Sequence, residues 1–428
     1  MSAARAVPQV HQVLATLWFG DAIGNEVLGI RRILRAAGYQ SEIFVETADR
    51  QMEDQARDYL DLADVSAPHN LVIHHFSVGS KASRLAYALP DRMLLIYHNI
   101  TPPEYAVDGH PQLARLCFMG RRELQAFASR SELAVGDSEF NRQDLERLGF
   151  AETAVLPVVP DFSHLDVPPD PLVAAQFGDD WTNILFVGRI VPNKRIDDLI
   201  RFYAAYRAYL DPRSRLLIVG SAAGFEWHLG ALDELRRRLR LDHVHFLGHV
   251  SNAALTACYD VADVFLCASE HEGFCVPLVE SFSKRVPVLA YAAAAVPATM
   301  DGGGVLYSSR DPLHVAALIH ALVSDEAYRD SVLEAQDAAL DRLLRQDFAG
   351  RLLGFVDQAL RAPRRPAPVL AFDFWEQVRA ARRLRELRTY RPSYGHAFPE
   401  GPGPGGQGPG DGGRRAGTKG RGPGASRW

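Results

Sequence analysis

Cysteine is scarce in this chain. Its 428 residues hold four, Cys117, Cys258, Cys267 and Cys275, with no C-x-x-C pair, which argues against a disulfide framework as the source of the fold. An excess of one charge is also missing: a formal net charge of -5 and a pI near 6.3 give no general attraction to nucleic acid or to an anionic surface. Phosphate binding must therefore be local, and no nucleic-acid partner is expected. No run approaches the ~20 apolar residues that span a bilayer. The opening MSAARAVPQVHQVLATLWFG lacks the basic, apolar and small-residue order of a signal peptide, so the cytosol is the expected location. No G-x-G-x-x-G follows the first β-rich run, which weakens a dinucleotide site. A D-x-D carboxylate pair of the kind that holds a divalent ion against a nucleotide is absent too, so no metal is expected.

What is present is a rhythm. With 47% apolar residues the chain is long enough for two ordinary domains, each with its own core. Short β-rich runs, VHQVLATL, SEIFVE, NLVIHH, MLLIYH and ELAVGDS, alternate with helical patterns, as in a parallel sheet with crossover helices. The first helix, from about Asn25, carries Val27, Ile30 and Leu34 on one face and ends at Gly38. Residues 157–181 break the rhythm with prolines and aspartates, and the interdomain linker is expected there. A second alternation runs from NILFVG through RLLIVG, HVHFLG, DVFLCAS and VPVLAY to GVLY. The fold class is therefore α/β, with one Rossmann-like domain over 1–165 and a second over 166–361. A basic helical segment over 362–391 and a Gly/Pro-rich tail over 392–428 follow. Glycine supplies 12 of residues 401–428; too few apolar groups remain to offset ordering entropy, and disorder is expected.

The sharpest constellation is ASEHEGFCVPLVESFSKRVPVLA. Pro277 suits the first position of a helix, which leaves the amides of Gly273, Phe274, Cys275 and Val276 near an uncapped, positively polarised end that attracts a phosphate or a sugar hydroxyl. Glu272 lies before that helix and Glu280 one turn inside it, so both can border one pocket at the C-terminal edge of the sheet. Two acceptor oxygens apiece suit vicinal hydroxyls. Spacing alone leaves a turn residue and a solvated helix residue as an equal reading. In ILFVGRIVPNKRIDDLI, Gly188 ends a strand, and Arg189 and Lys194 flank the loop that follows. A fork and a point charge there can neutralise a diphosphate without a metal. In the N-terminal half, Gly20 and Gly24 bracket a loop through which backbone can approach a phosphate or an acceptor. His98 ends MLLIYH at the edge where such sheets bind ligands. His74 and His75 point to opposite faces of one strand and cannot share a metal; a surface strand explains His243, His245 and His249 better than a metal site does.

VGR followed by a spaced lysine, FLGHV and E-G-F-C-V-P-L-V-E closely resemble the family 4 (group 1) glycosyltransferases, in family order and spacing over nearly the whole C-terminal domain. FGDAIGNEVLGIRRIL and LLIYHNITPPEY resemble the same family more loosely. The resemblance implies the GT-B fold, two Rossmann-like domains with parallel sheets facing across a cleft. It implies a retaining, metal-independent transfer of a sugar from a nucleotide diphosphate sugar. Within that picture Arg189 and Lys194 bind the donor diphosphate, Glu272 contacts the donor sugar, Glu280 contacts the ribose, and Val250 marks where backbone meets the nucleobase. His98 touches the donor sugar, as a polar contact rather than a proton carrier. Cys275 and Arg195 stand where glycine is common in the family, which puts the identity of the donor sugar in doubt.

Glu272 and His98 are thus the catalytic candidates. Glu272 could serve as a nucleophile, but as a hydroxyl ligand it fits front-face attack assisted by the leaving phosphate better. The same fold also serves phosphorylases and epimerases, and a sugar-binding or scaffold protein would keep the cleft without turnover. The acceptor, whether carbohydrate, lipid or metabolite, is not readable. In FWEQVRAARRLRELRTYR, Val378, Ala381, Leu384 and Leu387 recur every three residues among arginines. That pattern suits either peripheral contact with the inner face of a membrane or docking on the N-terminal domain.

Overall fold

The computed structural model describes residues 7–18, 22–158, 162–365, 368, 370, 371, 374 and 375. Gly20, the tail over 392–428 and most of the basic segment lie outside the described residues. The chain forms two parallel sheets. The first contains β1 (Val10–Leu17), β2 (Ile43–Ala48), β3 (Arg57–Asp58), β4 (Leu71–Phe76), β5 (Arg92–Tyr97), β6 (Leu133–Gly136) and β7 (Thr153–Val155), in the order β3-β2-β1-β4-β5-β6-β7. The second contains β8 (Thr182–Val187), β9 (Ser214–Val219), β10 (Val244–Gly248), β11 (Val264–Cys267), β12 (Val288–Tyr291) and β13 (Val305–Tyr307), in the order β10-β9-β8-β11-β12-β13. Helices cover the sheets, so central strands such as β4 are buried at all six positions and do not alternate apolar with polar, though β4 carries His74 and His75. This is the GT-B architecture.

In each sheet the strand order reverses once, between β1 and β4 and between β8 and β11. Crevices at such reversals, beyond the carboxyl ends of the strands, are where open α/β sheets bind ligands. The register Val264↔Ile184 and Phe265↔Leu185 sets the ends of β8 and β11 side by side. The loops that follow these two strands therefore meet.

Helix Phe348–Arg361 crosses back to the first sheet. Its Leu352, Val356 and Ala359 are fully buried in one core with Val10, Ile30, Leu71 and Leu94. The second domain, expected over 166–361, thus gives its last helix to the first. Burying that apolar stripe against a helix and a sheet that would otherwise expose their own explains the crossing. Beyond it, Arg92 Nη1 donates to the Ala362 carbonyl at 2.6 Å, and Phe374 and Trp375 pack against Tyr87 at ring-centroid separations of 5.6 and 5.0 Å. The described start of the basic segment is therefore docked on the N-terminal domain. The expected linker also contains a helix, Pro171–Phe177, capped by the Asp170 side chain and anchored by Phe177 in the second core.

Candidate functional site

The loop after β8 and the loop after β11 are tied together by backbone. The amide of Glu270 donates to the Asn193 carbonyl at 2.8 Å, and Asn193 Nδ2 donates to the His271 carbonyl at 3.0 Å. Behind them, Arg195 pairs with Asp197, Asp198 and Glu270, and Arg310 pairs with Asp198 and Glu270. This ionic buttress leaves Lys194 in front, where its Nζ lies 2.5 Å from Glu272 Oε1. Burial opposes the charge on Lys194, but the Glu272 carboxylate, together with Cys275 and Cys267, outweighs it and holds the ammonium above its usual range. Arg189 is exposed, with its guanidinium 6.0 Å from the Phe225 ring and its Nη2 3.5 Å from the Ala223 carbonyl. Gly188 follows β8 directly before Arg189, and half-buried Val250 follows β10 and packs against the second core.

The sequence departs from the family pattern at two points, and both prove to be left-handed. Arg195 has φ 51° and Cys275 has φ 75°, a region that costs an ordinary residue about 1–2 kcal/mol and glycine little. At Arg195 the ion pairs of the buttress offset that cost. Cys275 precedes helix Val276–Ser283, whose first turn carries no side-chain cap and has Pro277 near its start. The polarised helix end expected there is present. Phe274 is buried and its carbonyl accepts from Thr299 Oγ1 at 2.5 Å, fixing the loop from behind.

Glu280 lies on that helix, but both of its oxygens are engaged by protein. His164 Nε2 lies 2.9 Å from Oε1, and the Tyr259 hydroxyl donates to Oε2 at 2.8 Å. Burial and the Glu280 charge together hold the Tyr259 phenol well above its ordinary range, so it stays a donor. A ribose contact must therefore share an oxygen or displace His164, which comes from the linker. On that side a cavity of about 400 Å³ opens between Asn25, Arg31, Arg32, Gln55, Ser163 and His164.

The two halves touch at Gly273. A Cβ there would lie 2.8 Å from the His98 carbonyl oxygen, so only glycine lets the loop after β11 approach the end of β5 this closely. Tyr105 adds a second bridge, its hydroxyl donating to Glu270 Oε2 at 3.0 Å. Gly24 was expected in a loop; it lies inside helix Ala22–Ala36, and its close neighbour is the chain's own Trp18 carbonyl.

His98 itself is held in a way the sequence did not reveal. Gln12 Nε2 donates to the Val27 carbonyl at 3.0 Å, which fixes the amide and turns Gln12 Oε1 toward His75 Nε2, also at 3.0 Å. His75 must donate there, because an amide oxygen can only accept. Burial, then the His98 charge, pushes His75 well below its ordinary range, so it is neutral and its Nδ1 accepts from His98 Nε2 at 2.9 Å. His98 Nδ1 then faces Asp137 Oδ2 at 3.1 Å and Glu26 Oε2 at 3.8 Å. With 2% of its side chain exposed and both ring nitrogens engaged, His98 presents its backbone, not its ring, to the loop after β11. A direct sugar contact through a ring nitrogen requires this chain to open. Both oxygens of Glu26 are buried without a hydrogen-bond partner among the described residues, and burial raises its carboxyl to about 8.

Sequence reasoning missed Glu26, Asp137, His75, His164 and Tyr259. Two of them carried a signal. Asp137 follows β6 at the same sheet edge that flagged His98, and Glu26 stands four residues before Ile30 on the buried stripe of its helix, a costly place for a charge.

Comparisons with known proteins fit this geometry. The chain is 25% identical over 254 residues to the O-antigen chain mannosyltransferase B of Escherichia coli, covering 56% of this chain and 63% of that protein. It is 28% identical over 251 residues to the D-inositol 3-phosphate glycosyltransferase of Xylanimonas cellulosilytica, covering 55% and 59%. The match thus spans about three fifths of the length of these curated relatives. The Anabaena protein HepE, solved with UDP-glucose, superposes with a TM-score of 0.63 at 16% identity over 82% of this chain and 99% of its own, a likeness of fold. Residues 175–337, which hold Arg189, Lys194, Val250, Glu272 and Glu280, match the family of glycosyl transferases group 1.

Proposed function

We propose that the protein is a retaining glycosyltransferase that moves a hexosyl group from a nucleotide diphosphate sugar to a hydroxyl acceptor without a metal. The observation that carries this reading is the Lys194–Glu272 pair, 2.5 Å apart at the β8/β11 reversal beside an uncapped helix end. Cations and helix amides suit a diphosphate, and a carboxylate one residue from the interdomain contact suits the sugar it carries. The sequence relatives, named as a mannosyltransferase and an inositol phosphate glycosyltransferase, support transfer over phosphorolysis.

Donor binding draws Lys194 and Arg189 onto the diphosphate, and Glu272 exchanges its ammonium partner for sugar hydroxyls. As the bond to the leaving phosphate breaks, charge develops between Arg189, Lys194 and the helix Val276–Ser283 end, where preformed positive groups stabilise it. The leaving phosphate takes the acceptor proton on the same face. Glu280 orients the ribose through the oxygen His164 releases. His98 acts from beneath, shaping the cleft floor through its backbone contact with Gly273. The acceptor is a carbohydrate, lipid or metabolite hydroxyl entering from the N-terminal side.

The test is a thermal-shift screen against UDP-, GDP- and ADP-sugars with EDTA present, on wild type, Glu280→Ala and the double variant Arg189→Ala with Lys194→Ala. A shift of several degrees with one nucleotide class, lost in the variants, supports the assignment. No shift with any donor, with or without magnesium, overturns it.

A further inference from the structure

Cys267 closes β11 and Cys275 precedes helix Val276–Ser283, so the two thiols flank the loop that carries Glu272. The two sulfur atoms and a Glu272 carboxylate oxygen all lie within 4.8 Å of one another. Cys267 is buried, where its Sγ also contacts Ser269 Oγ at 3.4 Å; Cys275 is half-buried. An ion of the zinc class binds thiolate sulfur at about 2.3 Å and carboxylate oxygen at about 2.0–2.2 Å, so two of its ligands are never more than about 4.6 Å apart. The three atoms already span about that distance, and bringing them onto one ion needs side-chain rotation rather than a new loop path.

We propose that Cys267, Cys275 and Glu272 bind one thiophilic divalent cation of the zinc class, and that this ion and the nucleotide-sugar donor exclude each other. The second half rests on the proposed function. Glu272 is the link between the two ligands: it cannot serve the donor sugar while it ligates an ion. Its present partner is Lys194, 2.5 Å from Oε1, and the ammonium repels a dication arriving at the same carboxylate. The incoming ion therefore displaces Lys194 from Glu272 and removes both groups from the donor site in one step. Two sulfurs select a soft ion over magnesium or calcium, and both thiols release their protons as the metal–sulfur bonds form. Sulfur at 275, where the resembled family commonly has glycine, makes the site a feature of this chain.

The probe is Cd²⁺ alone, added to the full chain in metal-free buffer with its thiols reduced. Thiolate-to-metal absorption in the near ultraviolet should saturate at one equivalent and be displaced by Zn²⁺. Cys267→Ser and Cys275→Ser should each weaken Cd²⁺ binding tenfold or more. Cys117→Ser and Cys258→Ser should leave it intact, since those thiols are buried elsewhere. Lys194→Gln should strengthen it, because a competing cation is gone. Absence of the band, or its survival in Cys267→Ser, overturns the site. For the exclusion, Zn²⁺ should abolish the thermal shift given by the donor in wild type and spare it in Cys267→Ser; a shift indifferent to Zn²⁺ overturns that half. Cd²⁺ absorption needs no donor, so failure of the transferase reading would appear separately, as the lack of any donor shift in EDTA.

Discussion

The buried carboxyl of Glu26 offers the most direct test of how the N-terminal half is wired, through Glu26→Gln. Glutamine has the shape of the protonated acid and stays neutral at every pH. Burial, opposed by the His98 charge and assisted by that of Asp137, raises the Glu26 carboxyl from an ordinary 4.5 to about 8. Below pH 4.5 the group is protonated folded and unfolded, and its full contribution to stability is present. As pH rises from 4.5 toward 8 the unfolded chain releases the proton while the folded chain keeps it, so stability is lost across that window and levels off above it. At about 1.36 kcal/mol per unit, the loss is at most about 5 kcal/mol, and relaxation around a buried charge lowers it. Glu26→Gln removes this dependence. Its stability relative to wild type should therefore climb steadily from pH 5 to pH 8 and then stay flat, as read from denaturant midpoints of the N-terminal domain at fixed pH. A difference that does not change between pH 5 and pH 8.5 would refute the reasoning, because it would mean Glu26 titrates as an ordinary carboxylate with partners of its own.

Other outcomes follow from single contacts. Lys194→Ala leaves Glu272 buried without its partner and should cost about 3 kcal/mol of stability, with donor affinity falling at least 100-fold (about 3 kcal/mol) in a titration calorimeter. Tyr259→Phe removes the donor to Glu280 Oε2; denaturation should register a loss of about 1–3 kcal/mol. Gly273→Ala puts a methyl against the His98 carbonyl, so the donor KM should rise with little change in Tm, and an unchanged KM would show that the loop does not need this approach. At Cys275, where φ is 75°, a valine should be less stable than a glycine by about 1–2 kcal/mol in thermal unfolding.

How far the sequence reached depends on what each feature rests on. The two sheets were legible because parallel strands buried on both faces leave short, nearly continuous apolar runs, MLLIY and ILFV among them, that few other arrangements produce. The nearness of Glu272, Cys275 and Glu280 was legible because one short loop and one helix start hold all three within nine positions, so local spacing already implies proximity. The return of helix Phe348–Arg361 was not: its apolar stripe says that it must be buried, never against which sheet, and the partner surface is 196 residues away between Arg351 and Val155 and 270 between Arg92 and Ala362. The same limit hid the setting of His98. A histidine at a strand end reads as a ligand until His75, itself held by Gln12, and Asp137 are seen to take both of its nitrogens. Left-handed φ at Arg195 and Cys275 lies between these cases. The sequence flagged both as positions where glycine is common in the resembled family, but not that the backbone there is left-handed; the structure shows an ionic buttress at Arg195 and, at Cys275, a thiol within 4.8 Å of Cys267 and Glu272.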